Sequence, residues 1–268
     1  MPFTLSHIAA VLPGIRRDGT ARGPLVTSAL VMGSLSPDMA YFAATVVPGA
    51  MRFGQFTHAP VGVLTADVAV TTALVAVWVM VRDPLVALLP PHRQGQAHGW
   101  LRGRRMEPGP AYALRFYVSA VLGAATHVVW DAFTHQDRWG TRLVPVLGEE
   151  VAGYGVFTFA QYGSSALALI LLGWFARSAL RRRPASGPPP GVPVLDARER
   201  RKAVALIGGC VLLGAVVRCV VWLIGRDPAR SPLDAIPTLC FGAGAGLVAG
   251  LVIHGAAMRL RDRTPQRV

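Results

Sequence analysis

Charged side chains are scarce in this 268-residue chain, and lysine is almost absent. Asp, Glu, Lys and Arg together make up 15% of the residues, against about a quarter in soluble domains, and Lys202 is the single lysine. Hydrophobic residues make up 52%, and the mean hydropathy is +0.43. This composition excludes an ordinary soluble domain and predicts an integral membrane protein.

Cysteine is also rare, and the chain lacks an evident cleavable signal peptide. Cys210, Cys219 and Cys240 are odd in number, lie in late apolar runs and match no metal-ligand spacing, so we expect neither a disulfide framework nor a thiolate site. The first residues carry no basic charge, and Arg16 and Arg17 follow the first apolar stretch rather than precede it, which is not the order of a signal peptide.

Acidic residues are outnumbered, and the formal net charge is +13. The arginines cluster in short segments between apolar runs, and no aromatic residues alternate with them, so we predict no nucleic-acid binding. Such clusters are typical of loops on the cytoplasmic side of a membrane, where they contact anionic headgroups. Membrane lipid is therefore the predicted partner, whereas the sequence indicates neither a protein partner nor an oligomeric state.

Six apolar runs have about the length of 20 residues that a spanning helix needs. They lie at residues 25–47, 59–81, 111–134, 157–176, 203–225 and 236–257. Residues 3–15 form a shorter apolar stretch that is too short to span and fits a re-entrant element. The predicted fold is an all-α, polytopic helical bundle with about six transmembrane helices.

The distribution of basic residues predicts the orientation of this bundle. If both termini lie in the cytoplasm, 20 of the 27 Lys and Arg residues fall in cytoplasmic segments and 5 in the opposite loops. This asymmetry follows the positive-inside rule and predicts a multi-pass protein of the cell membrane with cytoplasmic termini. A basic, Pro-rich linker at 178–202 divides the predicted four-helix unit, 1–177, from a two-helix unit with a basic tail, 203–268.

The third apolar run carries the most informative motif of the chain. His127, Asp131 and His135 follow one another at intervals of four residues, which places them within about 80° of one helix face. Imidazole nitrogens and carboxylate oxygens on adjacent turns can bind one metal ion. This face lies toward the predicted extracytoplasmic end of the helix.

Other polar residues fall at a similar predicted depth. Asp38 follows Pro37 near the outer end of the first run, and His58 precedes the second. Ionisable groups inside spans are costly unless they are paired or ligated. Asp67 and Arg218 form a second candidate set, either as an intramembrane ion pair or with Arg218 as a ligand for a substrate anion.

These motifs resemble the bacterial membrane-bound metal-dependent hydrolase family. The order of His7, Pro37-Asp38, Thr57-His58 and His127-x-x-x-Asp131 is similar to the order in that family and to the ligand set of zinc-dependent phospholipase C. The segments Pro2 to His7, Ser36-Pro-Asp38 and Trp130 to His135 resemble more closely an uncharacterised bacterial membrane family of unknown function. The resemblance covers residues 1–145.

The resemblance implies a ligand set and a chemistry. The implied metal ligands are His7, Asp38, His58, His127 and Asp131, with zinc as the first choice and manganese or iron as alternatives. Asp38, Asp131 and His135 are the implied catalytic groups, and the implied reaction is hydrolysis of a phosphodiester or lipid-linked ester. His7 can reach such a site only if residues 3–15 re-enter the membrane or the first span is broken.

A second hypothesis remains open. The same polar residues can form a buried hydrogen-bond network in a non-catalytic bundle that has a structural role or conducts ions or protons.

Overall fold

The computed structural model describes residues 3–103, 107–225, 233 and 235–263. Within them the chain is all-α apart from one two-stranded hairpin, as predicted. The basic tail after residue 263 and most of the predicted loop 226–235 lie outside the described residues.

Twelve α-helices are interspersed with five short 3-10 helices in the described ranges. The α-helices are α1 Ile8–Val11, α2 Thr27–Gly33, α3 Met39–Ala43, α4 Phe53–Thr57, α5 Pro60–Leu64, α6 Ala66–Val86, α7 Pro91–Arg102, α8 Pro110–Thr134, α9 Trp139–Leu143, α10 Val156–Arg181, α11 Ala197–Ile224 and α12 Ala235–Arg263. The 3-10 helices are Thr4–His7, Leu12–Gly14, Ser36–Asp38, Ala50–Arg52 and Pro145–Gly148, and the strands are β1 Glu150–Val151 and β2 Tyr154–Gly155.

Five helices of the described chain are long and apolar enough to cross a membrane. They are α6, α8, α10, α11 and α12; the candidate spans in these helices have 22 to 28 residues, with mean hydropathies of 1.3 to 2.4 over their most apolar windows. Their surfaces are mostly exposed side chains such as Leu, Ile and Val, which is the expected composition of a lipid-facing helix. The chain is a multi-pass helical membrane protein.

The first predicted span, 25–47, is wrong as a continuous helix. It consists of α2, the 3-10 turn Ser36–Asp38 and α3, none longer than seven residues. Pro37 lacks the amide hydrogen that an α-helix needs at that position. The Ser34 and Ser36 hydroxyls also donate to nearby main-chain carbonyls, which stabilises local turns instead of a longer helix.

Main-chain contacts divide the described chain into two compact units. The first comprises Met1–Tyr41, Gly49–Leu74 and Arg104–Ala179, and the second comprises Phe42–Pro48, Val75–Gly103 and Leu180–Val268. All the residues of the first motif set, from His7 to His135, belong to the first unit. The division at 177 and 203 inferred from the sequence stays a prediction.

Residues 3–38 form a helical hairpin, called the hairpin below, and its first arm runs beside α10 in the first unit. Phe3 meets Tyr162 edge to face, with ring centroids 6.1 Å apart. The Arg17 guanidinium lies 5.2 Å from the centre of the Trp174 ring, farther along the same helix, in a cation–π contact. Residues 3–17 therefore follow α10 over about twelve of its residues.

The second arm returns beside α8. The Val26 amide donates to Ser119 Oγ (2.9 Å), and Ser34 O accepts from His127 Nδ1 (2.7 Å) eight residues farther along both segments. Trp130 bonds to Ser164 and His135 to Gln161, so α8 and α10 run in opposite directions. The hairpin therefore ends at the level where it began. His7 and Asp38 thus meet at the end of α8 that carries Asp131, which answers how His7 reaches the motif.

In the second unit, the Pro-rich segment before α11 packs against its neighbours. Gln96 Nε2 donates to the Arg183 carbonyl (2.7 Å), and Val192 and Leu195 are buried in one cluster with Val86. The segment is therefore held in place by a side-chain hydrogen bond to the main chain at its start and by burial of apolar side chains.

A capping box begins α11. The Glu199 amide donates to Asp196 Oδ1 (2.7 Å), and the Asp196 amide donates to Glu199 Oε2 (2.9 Å), which satisfies two amides at the helix start. The hydrogen bond from the Glu199 amide lowers the pKa of the Asp196 carboxyl, because it stabilises the charged form. Farther along, α11 packs on α12 with Gly214 opposite Gly242.

The hairpin changes the expected position of the N-terminus. Two cytoplasmic termini require an even number of membrane crossings, whereas the described spans number five. The hairpin adds no crossing, because it begins and ends at the level of the same end of α8. With the basic segments before α8 and α11 inside, we expect the N-terminus outside and the C-terminus inside. Epitope tags at the two ends, probed with protease in right-side-out spheroplasts, should be cleaved at the N-terminus alone.

A third tag between residues 189 and 190 provides the cytoplasmic reference for that measurement. Protection of both terminal tags would instead support the orientation inferred from charge alone.

Two glycines let the hairpin approach α8. A Cβ on Gly33 would lie 2.5 Å from the Ala120 carbonyl oxygen, and one on Gly123 would lie 2.8 Å from the Ser34 amide nitrogen. Contacts this short force the backbones apart, so we expect Gly123→Ala to cost about 1–3 kcal/mol of stability and to lower the melting temperature in detergent.

Gly163→Ala on α10 is the matched control, because nothing in the described structure lies within 4 Å of its added methyl. It should be neutral or stabilise by up to about 1 kcal/mol. Equal melting temperatures for the two variants would argue against the close packing of the hairpin on α8.

Candidate metal centre

The last two turns of α8 position two side chains of the site. His127 and Asp131 are one turn apart and both are buried, so they project from the same face of the helix. Their burial follows from the hairpin, which covers this face of α8 through Ser34 and Asp38. The helical spacing predicted from the sequence therefore brings the two groups together.

Asp38 and His58 reach the same point from two short segments. Asp38 ends the 3-10 turn Ser36–Asp38, and His58 directly follows α4. The Thr57 hydroxyl donates to the Pro37 carbonyl (2.7 Å), and this bond ties the two segments to each other. The carboxylate of Asp38 and the imidazole of His58 are both buried.

Four ligand atoms form a closed ring at this point. His127 Nε2 lies 3.4 Å from Asp38 Oδ1 and 3.6 Å from Asp131 Oδ2, and His58 Nε2 lies 3.7 Å and 3.4 Å from the same two oxygens. All four atoms fall within 4.8 Å of one another. One side chain from each of four positions in the chain thus contributes one atom to a common centre.

The main chain fixes the tautomers of both histidines. His127 Nδ1 lies 2.7 Å from the Ser34 carbonyl, and His58 Nδ1 lies 2.8 Å from the Gly54 carbonyl. A carbonyl oxygen only accepts, so each Nδ1 carries the proton. In a neutral ring, each Nε2 then presents a lone pair to the carboxylates, which is the usual arrangement of metal-binding histidine.

This donor set fits a divalent ion. Two ligands of a tetrahedral zinc ion, each about 2.0–2.1 Å from it, lie about 3.3–3.4 Å apart. Four of the six distances among the ligand atoms measure 3.4 to 3.7 Å, and the two across the ring are within 4.8 Å. Asp38 Oδ1 and His127 Nε2 are buried and have no hydrogen-bond partner among the described residues. Nitrogen and carboxylate oxygen ligands suit zinc, and also manganese or iron.

His7 stands beside the ring rather than in it. Its Nε2 lies 3.5 Å from Asp131 Oδ1, the oxygen that does not face the ring, and its ring stacks on that of His127 with centroids 3.8 Å apart. Neither nitrogen of this buried side chain has a hydrogen-bond partner among the described residues. The geometry leaves His7 free to act as a further ligand next to Asp131.

His135 lies near Asp131 but faces elsewhere. Its Nδ1 is 3.1 Å from the Asp131 carbonyl and 3.9 Å from Asp131 Oδ1, and its Nε2 is 2.9 Å from Gln161 Nε2. Burial lowers the pKa of His135 to about 4, so the ring is neutral at physiological pH. A proton on Nδ1 then bonds the carbonyl while Nε2 accepts from Gln161.

The two residues of the second candidate set, Asp67 and Arg218, belong to different units. Asp67 is buried at the start of α6 in the first unit, and its carboxylate has no hydrogen-bond partner among the described residues. Arg218 belongs to the second unit. Their pairing stays a prediction.

Four contributors to the site were missed in the sequence. Thr4 Oγ1 donates to Asp38 Oδ2 (2.5 Å), and the carbonyls of Ser34 and Gly54 orient the two histidines. Hydroxyls and main-chain carbonyls leave no distinctive sequence signal. Arg138, which lines a cavity of about 20 Å³ beside the ring, did leave one, because it is a basic residue in a predicted outer loop just after the motif.

Comparison with known proteins identifies the family of the chain. No curated protein and no solved structure matches it. A family described as a domain of unknown function, DUF4184, matches residues 1–256. Since this match extends over nearly all of the 268 residues, the chain belongs to the DUF4184 family.

Proposed function

We propose that this protein is a membrane-bound, metal-dependent hydrolase that acts on a phosphodiester or another lipid-linked ester. The observation that carries the proposal is the ring of four acceptor atoms from Asp38, His58, His127 and Asp131, with edges of 3.4 to 3.7 Å. Carboxylates and imidazole lone pairs that face one another in a buried space need a cation between them.

The four ring residues would hold the ion, with His7 as a further ligand beside Asp131. A divalent cation held there would lower the pKa of a bound water and polarise a phosphoryl or acyl oxygen of the substrate. Thr4 and the carbonyls of Ser34 and Gly54 hold three of the ligands in orientation, as outer partners of metal ligands commonly do.

Asp131 is the better placed of the two carboxylates to orient the attacking water. It lines a cavity of about 20 Å³ beside the ring, which is room for about one water molecule, and its Oδ1 has no hydrogen-bond partner among the described residues. Asp38 does not line this cavity, and its Oδ2 already accepts from Thr4.

Such a hydrolysis needs only water and the ester as reactants. The water oxygen bonds to phosphorus or to the acyl carbon, the ester bond breaks, and the proton released by water ends on the leaving oxygen. Asp131 Oδ1 is the group that takes that proton and returns it.

The surroundings of the site favour an amphiphilic substrate. Trp139 borders the cavity and is 46% exposed, and Phe53 and Phe56, on the helix that leads to His58, are 49% and 41% exposed. Exposed aromatic side chains near a membrane surface contact lipid at the level of the headgroups. The resemblance to membrane-bound hydrolases and to zinc-dependent phospholipase C points to the same class of substrate.

The second candidate is a non-catalytic bundle in which the same residues form a hydrogen-bond network. The bonds from Thr4 to Asp38 and from His127 to the Ser34 carbonyl favour it, because they join the hairpin to α8. The presence or absence of bound metal separates the two candidates.

Metal content is the first test. We expect about one zinc, manganese or iron ion in the wild-type protein purified in detergent, and loss of that metal in the His127→Ala, Asp131→Ala double variant, because it removes two of four ring ligands. Plasma mass spectrometry on monodisperse protein measures this.

Two single variants sharpen the result. His92→Ala, at an exposed position of α7, should keep the wild-type metal content, and so should His135→Ala, because both ring nitrogens of His135 are engaged elsewhere. A wild-type protein that stays empty after metal addition, with its fold intact, leaves the network as the function of these residues.

Turnover is the second test. Lipid vesicles that contain phosphodiester headgroups, supplied with zinc or manganese, should be hydrolysed by the wild type and not by His127→Ala, whose loss should lower the rate by at least about 100-fold. Release of the headgroup, followed by mass spectrometry, gives the rate. Equal rates for both proteins would rule out this substrate class for the site.

A further inference from the structure

An arginine, Arg138, lines the cavity beside the candidate metal centre. The cavity next to the ring is lined by His58, Val128, Asp131, Ala132, Arg138 and Trp139. Two of the ring residues thus line the same small cavity as Arg138, so a ligand in this cavity lies beside Arg138.

The main chain around Arg138 is held in place while its side chain is not. The Thr141 hydroxyl donates to the Arg138 carbonyl (2.9 Å), and Arg142 Nη2 donates to the Asp137 carbonyl (2.7 Å). Asp137 has a φ of +58°, a conformation that non-glycine residues adopt rarely. This fixed turn directs the chain from α8 into α9 and sets the position of the arginine.

Within the described parts of the chain the guanidinium of Arg138 makes neither an ion pair nor a hydrogen bond, although the side chain is half-buried. The neighbouring Arg142 does have such a bond, to Asp137. A half-buried arginine without a partner is costly unless a ligand supplies the anion.

Charge at the site completes the argument. The two ring carboxylates would balance one divalent cation, and both ring histidines would be neutral with Nδ1 protonated toward the carbonyls and Nε2 bound to the ion. Arg138 then leaves one positive charge in excess. A neutral carboxylic ester does not compensate that positive charge. A phosphoryl group carries the negative charge that does so, and two of its oxygens match the planar fork of a guanidinium.

We propose that Arg138 binds a non-bridging oxygen of a phosphoryl group, which makes phosphate esters the substrate class of this site. This inference rests on the proposed hydrolase function and narrows it, because carboxylic esters are excluded as the preferred substrate. The cavity of about 20 Å³ accommodates one oxygen of the group, and the rest extends toward the exposed side of Trp139. Arg138 acts as a specificity residue that contacts the substrate.

Binding of inorganic phosphate tests the inference without relying on turnover. Full-length protein loaded with zinc is titrated with phosphate by calorimetry, and its metal content is measured in the same samples. We expect Arg138→Gln to weaken phosphate binding by about 10- to 100-fold, the range of one charge-assisted hydrogen-bonded pair, with the metal content unchanged. Arg138→Lys should recover part of the affinity, since it keeps the charge but not the fork.

Arg52→Gln is the matched control, because Arg52 is exposed in the turn before α4 and does not line the cavity. It should bind phosphate as the wild type does. Acetate, added as a competitor, should displace phosphate poorly.

The outcomes separate the two proposals. Wild-type metal content together with equal phosphate affinity in Arg138→Gln and wild type overturns the role of Arg138 and leaves the hydrolase proposal standing. Displacement of phosphate by an equal concentration of acetate overturns the preference of the site for phosphoryl groups. A wild-type protein without metal overturns both proposals.

Competition also distinguishes the source of the phosphoryl group. Displacement of phosphate by glycerol phosphate in solution identifies a soluble ester, and displacement by nanodiscs of phosphatidylglycerol alone identifies a lipid headgroup. Either result supports phosphoryl binding by Arg138.

Discussion

Two carboxylates and two imidazole nitrogens share a buried space, and they repel one another unless positive charge lies among them. The protons of His58 and His127 that would otherwise fill this role are on Nδ1 and are bound to the main-chain carbonyls of Gly54 and Ser34. In a medium of low polarity this repulsion is large. The shape of the first unit near the end of α8 therefore depends on a cation, either protons added to the rings or a metal ion.

The hairpin is what makes this concentration of ligands possible. Its first arm brings Thr4 and His7 to the end of α8, and its second arm brings Asp38. The arms fit because Gly33 and Gly123 leave no side chain between α2 and α8. Close backbone approach of this kind is common where helices pack inside membranes. Here it sets the depth at which Asp38 of the hairpin meets His127 of α8.

Much of this arrangement was predictable from local sequence. The spacing of His127 and Asp131 fixes a shared helix face, and the long apolar runs from residue 59 onward predicted membrane helices that the structure contains. The continuous span at 25–47 was wrong, because hydropathy does not register the turn at Pro37 or the hydroxyls that bond to the main chain. The carbonyls of Ser34 and Gly54 were also beyond prediction, since every residue has a carbonyl and only the tertiary fold aims one at an imidazole.

Spacing within the ring argues for a metal rather than a hydrogen-bond network. Direct N–H···O bonds between imidazole and carboxylate measure about 2.7–3.2 Å, and a network would gain energy by closing to that distance. The four edges instead measure 3.4 to 3.7 Å, although shorter bonds of 2.5 to 2.8 Å surround the ring at Thr4, Ser34 and Gly54. The outer bonds are thus fully formed while the inner atoms stay apart, and this difference supports the proposed metal site over a hydrogen-bond network.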